Sequence, residues 1–177
     1  MLPTNRNPRF NTRINPQFNT RLNPRFNTRI NPRFNSSINP RFNSSINPRF
    51  NSRINPRINS TLNYHINSRL NPFINSRINP RINTSINPRI AANFSFPVIF
   101  NMSHEWVGYA VKFDCANVDG YIVFNMDLTV QMRCFSNLQD GYNLFDNNND
   151  WIGIWVRTDV GFFEYLLDDN TTRYIIV

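Results

Sequence analysis

Residues 1–90 contain no aspartate, no glutamate and no glycine. The fifteen arginines of that stretch therefore have no counter-charge within it. Cysteine is scarce. Cys115 and Cys134 are too few for a disulfide framework and lack metal-ligand spacing, so both are expected reduced and buried. No apolar run approaches the ~18 residues of a membrane span, and Met1-Leu2-Pro3-Thr4-Asn5-Arg6 lacks the apolar core of a secretory leader. The expectation is a cytoplasmic protein. Catalytic constellations are missing as well. His104-Glu105 is the only adjacent acid–base pair, with no third group at triad-like spacing to orient it. The Asx-rich stretches 146–150 and 168–170 offer oxygens but not the spacing of a calcium loop with its terminal glutamate. No catalytic residue, cofactor or resident metal is expected.

What is present is an asymmetry. Residues 1–90 hold 15 of the 19 basic side chains, whereas residues 91–177 hold all 11 acids, all five glycines, all three tryptophans and both cysteines. The formal charges are +15 and −7. Charge divided in this way marks either an arm that meets a polyanion or two parts that attract each other. The chain divides into a basic repeat array, 1–92, and an acidic domain, 93–177.

From Asn7 the array runs Asn-Pro-Arg-Phe, Asn-Thr-Arg-Ile, Asn-Pro-Gln-Phe, Asn-Thr-Arg-Leu, and so on through 21 units without a slip. Every unit opens with Asn and closes with Phe, Ile or Leu, while Pro alternates with Ser or Thr at the second place, so the true period is eight. Asn63-Tyr64-His65-Ile66 is the conspicuous deviation, with Tyr in place of Pro. Proline at that frequency excludes a helix, because it removes a backbone donor and clashes with the preceding turn, and it excludes a sheet interior, because it cannot donate to a ladder. Turns remain. The Asn side chain bonds its own backbone two residues on, Pro presets the next φ, and the residue before Pro is kept out of the helical region. Tandem turns lead to a thin solenoid with every fourth side chain stacked inward, or to a partly disordered chain. The apolar period favours the solenoid; a row of unneutralised arginines opposes it.

After Ala91-Ala92 the composition shifts to aromatics, β-branched residues and Asp/Asn/Gly clusters, the mark of short strands and turns. A second repeat lies within it. Phe96-Pro97-Val98-Ile99-Phe100-Asn101, Gly120-Tyr121-Ile122-Val123-Phe124-Asn125, Gly141-Tyr142-Asn143-Leu144-Phe145-Asp146 and Gly161-Phe162-Phe163-Glu164-Tyr165 share one pattern, with Phe100, Phe124, Phe145 and Tyr165 spaced 24, 21 and 20 apart. Second apolar runs follow at 106–111, 130–135, 151–156 and 171–176, after polar connectors of hairpin-loop size at 102–105, 126–129, 147–150 and 168–170. Each copy predicts strand, tight loop, strand. A lone hairpin is marginal in water, so four must share a core, most simply as an all-β, pseudo-fourfold barrel of eight short strands, which also removes free edges.

The Tyr142-Asn143-Leu144-Phe145-Asp146 and Trp151-Ile152-Gly153 elements, with the fourfold pattern over residues 96–177, resemble the β-flower proteins, bacterial domains of radially arranged hairpins. Repeats such as Ile-Asn-Pro-Arg-Phe-Asn-Ser-Ser also resemble arrays that precede such domains. The resemblance implies a hairpin barrel and, through its likeness to tubby-type and scramblase-type barrels, lipid or membrane-surface binding; it transfers no catalytic residue.

Three functional expectations follow. The first is a non-enzymatic interaction or structural protein with the barrel as head and the array as basic arm. The second is a polyanion binder, for nucleic acid or an acidic membrane surface, in which Arg9, Arg25, Arg33, Arg41, Arg49 and Arg57 make phosphate contacts and Phe10, Phe18, Phe26, Phe34, Phe42 and Phe50 provide stacking faces. The third is intramolecular: the array wraps the oppositely charged head and is ordered by it. Self-association is compatible with each, and a hydrolase is a distant alternative. Trp106, Trp151 and Trp155 belong to the core or rim of the barrel, and a tryptophan at the axial mouth would admit a small apolar or lipid ligand.

Overall fold

The computed structural model describes residues 2–168 and 172–177. The acidic domain forms eight antiparallel strands: β1 (Val98–Phe100), β2 (Trp106–Lys112), β3 (Gly120–Asn125), β4 (Val130–Ser136), β5 (Gly141–Phe145), β6 (Trp151–Thr158), β7 (Gly161–Leu166) and β8 (Tyr174–Ile176). Each pairs with the next, and β8 pairs back onto β1, closing the barrel. The sequence repeat reappears as a geometric one. In three hairpins the register shifts just before the key aromatic, giving Phe100 opposite Trp106, Phe124 opposite Val130 and Phe145 opposite Trp151. The third loop residue of the same hairpins, His104, Leu128 or Asn149, has φ of 60°, 71° or 60°. Of the fourth connector, 168–170, and the start of its second run at 171, residues 169–171 lie outside the described residues. The recurring glycine that opens β3 and β7 has a steric cause: a Cβ at Gly120 would stand 2.1 Å from the Cys134 carbonyl oxygen, and at Gly161 2.0 Å from that of Ile175.

Side chains alternate between the two faces of a barrel strand. One cluster draws on all eight strands, including Ile99, Ala110, Val123, Cys134, Leu144, Trp155, Phe162 and Ile175, and fills the interior. Within it sits an ion pair: the Glu164 carboxylate receives Arg173 Nε at 2.6 Å and Nη2 at 2.9 Å, and Trp155 Nε1 donates to the same carboxylate at 3.0 Å. The residues between these, among them Tyr109, Phe124, Phe135, Phe145, Phe163 and Ile176, point outward yet are equally buried. That explains the unbroken burial along β5 and most of β2, β4 and β6, which a barrel with a wet outer face would not show.

The array covers that outer face. Its closing residues Ile14, Leu22, Ile30, Ile46, Ile54, Leu62, Leu70, Ile78 and Ile86 are buried, eight or sixteen residues apart, and each belongs to an Asn-Ser/Thr unit. Ile14 packs with Val98, Phe163, Tyr174 and Ile176; Ile30 with Ile154 and Val156; and Leu62, Leu70, Ile78 and Ile86 with the aromatics of β2 to β5. The Ile46 carbonyl accepts from Asn143 of β5 at 3.0 Å, and the Ile30 carbonyl from Tyr165 of β7 at 2.9 Å. The path therefore runs round the barrel from β8 and β1 back through β6, β5 and β4 to β2. The ring is closed where Arg6 Nη1 and Nη2 donate to the carbonyls of Phe94 and Phe96 at 2.9 and 2.6 Å. We call this collar the belt.

No strand ladder holds the belt together; asparagine does. Each Pro unit closes with the N–H of the following residue on the unit's own Asn carbonyl, as Asn51 on Asn47 at 2.9 Å, while nearly every Ser/Thr unit makes the tighter bond of a 3-10 turn, as Asn55 on Ser52 at 3.4 Å. The Asn Oδ1 accepts from the backbone two residues on, 2.8 Å for Asn47 and Arg49. Its Nδ2 reaches back seven or six residues, from Asn47 to the Pro40 carbonyl at 2.9 Å and from Asn51 to that of Ser45 at 2.6 Å. Most units make both bonds, and they give Asn its place: an aspartate lacks the backward donor, and a serine lacks the reach.

One expectation is corrected. Apolar side chains turn inward every eighth residue, not every fourth. Phe10, Phe18, Phe26, Phe34, Phe42 and Phe50 are 68–76% exposed. Two turns make one octad, and consecutive turns face opposite ways, so the aliphatic of one docks on the barrel while the closing residue of the next, Phe as far as Phe50 and Ile from Ile58 on, stands in solvent.

Candidate binding surface on the belt

The outward face is built by the Pro units. Pro lies at or near the barrel side of each turn, and the Arg and Phe that follow project away. The arginines named from sequence, Arg9, Arg25, Arg33, Arg41, Arg49 and Arg57, are all exposed there. They are not equally available. Arg57 pairs with Asp150, and Arg9 Nη2 reaches the Ser103 carbonyl at 3.5 Å. Arg25, Arg41 and Arg49 have no side-chain partner among the described residues. Across the whole belt, only Arg57 and Arg77 form ion pairs with acids of the barrel domain among the described residues. Opposite charge therefore contributes little to docking, since exposed pairs are worth ~0–1 kcal/mol each. Apolar rows and asparagine bonds hold the belt, and most of its positive charge is left facing outward.

The tryptophans are not brought together. Trp155 is interior, bonded to Glu164, and so belongs to the core and not the rim. Trp106 and Trp151 occupy equivalent places in the first and third hairpins, partly buried, each donating Nε1 to the glycine carbonyl two residues on, Gly108 or Gly153, at 2.8 Å. His104 and Glu105 turn apart: His104 Nδ1 lies 2.6 Å from the Tyr174 hydroxyl, and Glu105 accepts from Asn101 at 2.7 Å. Burial, and secondarily Arg9, hold the imidazole pKa below its ordinary value. The Asp146 carboxylate, one of the oxygens considered for calcium, accepts the backbone N–H groups of Asn148 and Asp150 at 2.8 Å and so builds its own turn. Cys134 is buried, which pushes its thiol pKa up, and Cys115 is half-buried; both are free.

Two residues escaped the sequence reading. Arg133 sits in mid-strand on the outer face of β4, its guanidinium carbon 3.4 Å from the centre of the Tyr64 ring. Tyr64 also donates its hydroxyl to the Asn147 carbonyl at 2.7 Å, so the one turn that lacks proline is the one that grips the barrel by a side chain from the proline slot. Phe73 stands where every other unit of the array carries a polar residue, Arg, Ser, Thr, Gln or His.

Fold and surface together define an all-β protein, a closed eight-stranded antiparallel barrel, collared by its own repeat array. The chain matches no family model, no curated protein and no solved structure. No helix among the described residues is long and apolar enough to cross a membrane.

Proposed function

We propose that this protein is a non-catalytic binding module in which the barrel is a rigid core and the belt presents a sequence-independent surface for a single-stranded nucleic acid. The observation that carries the reading is the outward row of exposed Phe at Phe10, Phe18, Phe26, Phe34, Phe42 and Phe50, one per octad over the first half of the belt, each but Phe18 preceded by an exposed Arg and largely unused by the barrel. Arginines track phosphates and aromatic faces stack bases without reading them. A regular row of exposed aromatics, rather than single scattered ones, marks an interaction surface. The curvature of the belt favours a flexible strand over an acidic bilayer, because a flat surface touches a collar along one arc only whereas a strand can follow it. The β-flower likeness is retained within this proposal, supported by four hairpins in a closed ring.

The test is fluorescence anisotropy of the full chain with labelled single-stranded oligonucleotides across a salt series. Binding is expected to weaken steeply with salt, with a log–log slope of roughly −0.7 per phosphate engaged. Joint replacement of Arg25, Arg41 and Arg49 by Gln should shallow that slope by about 2. Replacement of Phe26, Phe34 and Phe42 by Ala should weaken binding by ~1–3 kcal/mol per stacked base while leaving the slope in place. Absent or salt-independent binding refutes the proposal. Preferential capture by anionic vesicles moves the surface to a membrane, and concentration-dependent self-association without oligonucleotide binding assigns the Phe row to a second copy.

A further inference from the structure

Arg133 is 1% exposed and joins no ion pair among the described residues, unlike the other buried arginine, Arg173, which is matched by Glu164. Its Nη1 donates to the Asn147 side chain at 2.9 Å, Tyr64 lies against its face, and its Nε has no partner. A buried guanidinium without a carboxylate is strongly disfavoured, by several kcal/mol unless other groups compensate, and burial lowers its pKa to about 10. This charge lines a cavity of about 540 Å³ between the belt and the β3–β4 hairpin. The volume falls in the range of small-molecule sites, ~300–1,000 Å³. Phe124, Leu128 and Val130 form apolar walls on the barrel side, Phe73 and Arg81 come from the belt, and Thr129 adds a hydroxyl.

Both irregular belt units converge here. Tyr64 replaces a proline beside Arg133, and Phe73, 83% exposed, replaces a polar residue at the lip. The repeat's one non-proline residue in the Pro column and its one apolar residue in the polar column meet at one cavity, and there the barrel also breaks its rule, placing a charge on an outer face of aromatics.

We propose that this cavity binds a small organic carboxylate with a flat apolar body, its carboxylate held by Arg133 and Arg81 and its body between Phe73 and Phe124. One deep guanidinium and one at the mouth suit a monoanion, since a phosphate dianion calls for more donors than these apolar walls supply. The site is separate from Arg25, Arg41 and Arg49, so it stands or falls independently of oligonucleotide binding.

The experiment is titration calorimetry of the full chain with 2-naphthoate, its neutral amide 2-naphthamide, and inorganic phosphate. Naphthoate should bind one to one, and the amide roughly tenfold or more weakly, as expected for loss of a charge-assisted hydrogen bond. Phe73→Ala, at an exposed position, should weaken naphthoate roughly tenfold and Arg81→Gln severalfold, both with unchanged melting temperature. Arg133→Gln should abolish binding; because Arg133 also braces Tyr64, the Phe73 and Arg81 variants decide the matter if that variant fails to fold. No saturable binding of naphthoate at about 10 mM, equal affinity for acid and amide, or indifference to both lip variants overturns the proposal. Tighter binding of phosphate than of naphthoate overturns the carboxylate assignment.

Discussion

Barrel and belt are both repeats, yet they solve the backbone hydrogen-bond problem in opposite ways. The barrel satisfies its strands by pairing each with two neighbours and leaves side chains free to pack on both faces. The belt has no neighbours to pair with; its proline forbids a ladder, and asparagine side chains close the gap from turn to turn and octad to octad. The barrel can therefore vary almost every residue within an apolar class, and its four copies have drifted apart. The belt cannot vary its Asn at all and keeps the same letter 21 times. The difference also explains dependence. A closed barrel carrying Phe124, Phe135, Phe145 and Phe163 on its outside needs a cover, and a strip of turns with one buried aliphatic per octad needs a wall.

The sharpest break in the comparison lies inside the barrel. Glu164→Ala strands Arg173 in the interior and should destabilise by ~3–5 kcal/mol in chemical denaturation. Next come the two faces of the belt. Leu70→Ala, at a fully buried position, should cost ~2–5 kcal/mol, whereas Phe42→Ala should stay within ~0.5 kcal/mol. Equal effects would mean that the faces are wrongly assigned. Asn47→Asp keeps the forward acceptor and loses the backward donor to Pro40, and should cost ~1–3 kcal/mol; Tyr64→Phe, which gives up the bond to Asn147, ~1 kcal/mol.

The smallest effect is a pH dependence. The His104 pKa is lower in the folded chain than its ordinary 6.5, by burial first and Arg9 second. The unfolded chain thus binds more protons near that value, so the contribution is present above pH 6.5 and is lost as pH falls through the folded pKa. His104→Asn, which tolerates the positive φ of 60°, should flatten the melting temperature between pH 7 and 5 relative to the parent.

Most of the barrel was legible. The four Gly-or-Phe-led runs fall on β1, β3, β5 and β7, and the partner runs of the first three on β2, β4 and β6, within a few residues. Closure followed from the edge argument. The belt's turns were legible from Asn-Pro chemistry, but not which turn faces in. Both kinds of unit end on an apolar residue, and only the column that is never aromatic, Ile or Leu from Ile14 to Ile86, hints at the docked side. Arg133 was illegible because a single arginine in Val130-Gln131-Met132-Arg133-Cys134-Phe135 reads as a solvated strand position; its burial depends on a turn 69 residues earlier. The partners of two of the exposed arginines, a carbonyl at Ser103 for Arg9 and a carboxylate at Asp150 for Arg57, depend on loops that sequence does not position.

Native-state hydrogen exchange on the intact chain tests most directly whether the belt is part of the barrel's core and not an appendage. The amides of Asn51 and Asn59, which close turns in the belt, and those of Tyr109 and Phe124 in the barrel should lose protection with one common denaturant dependence, as a single cooperative unit. Belt amides that exchange freely while the barrel stays fully protected would contradict the account.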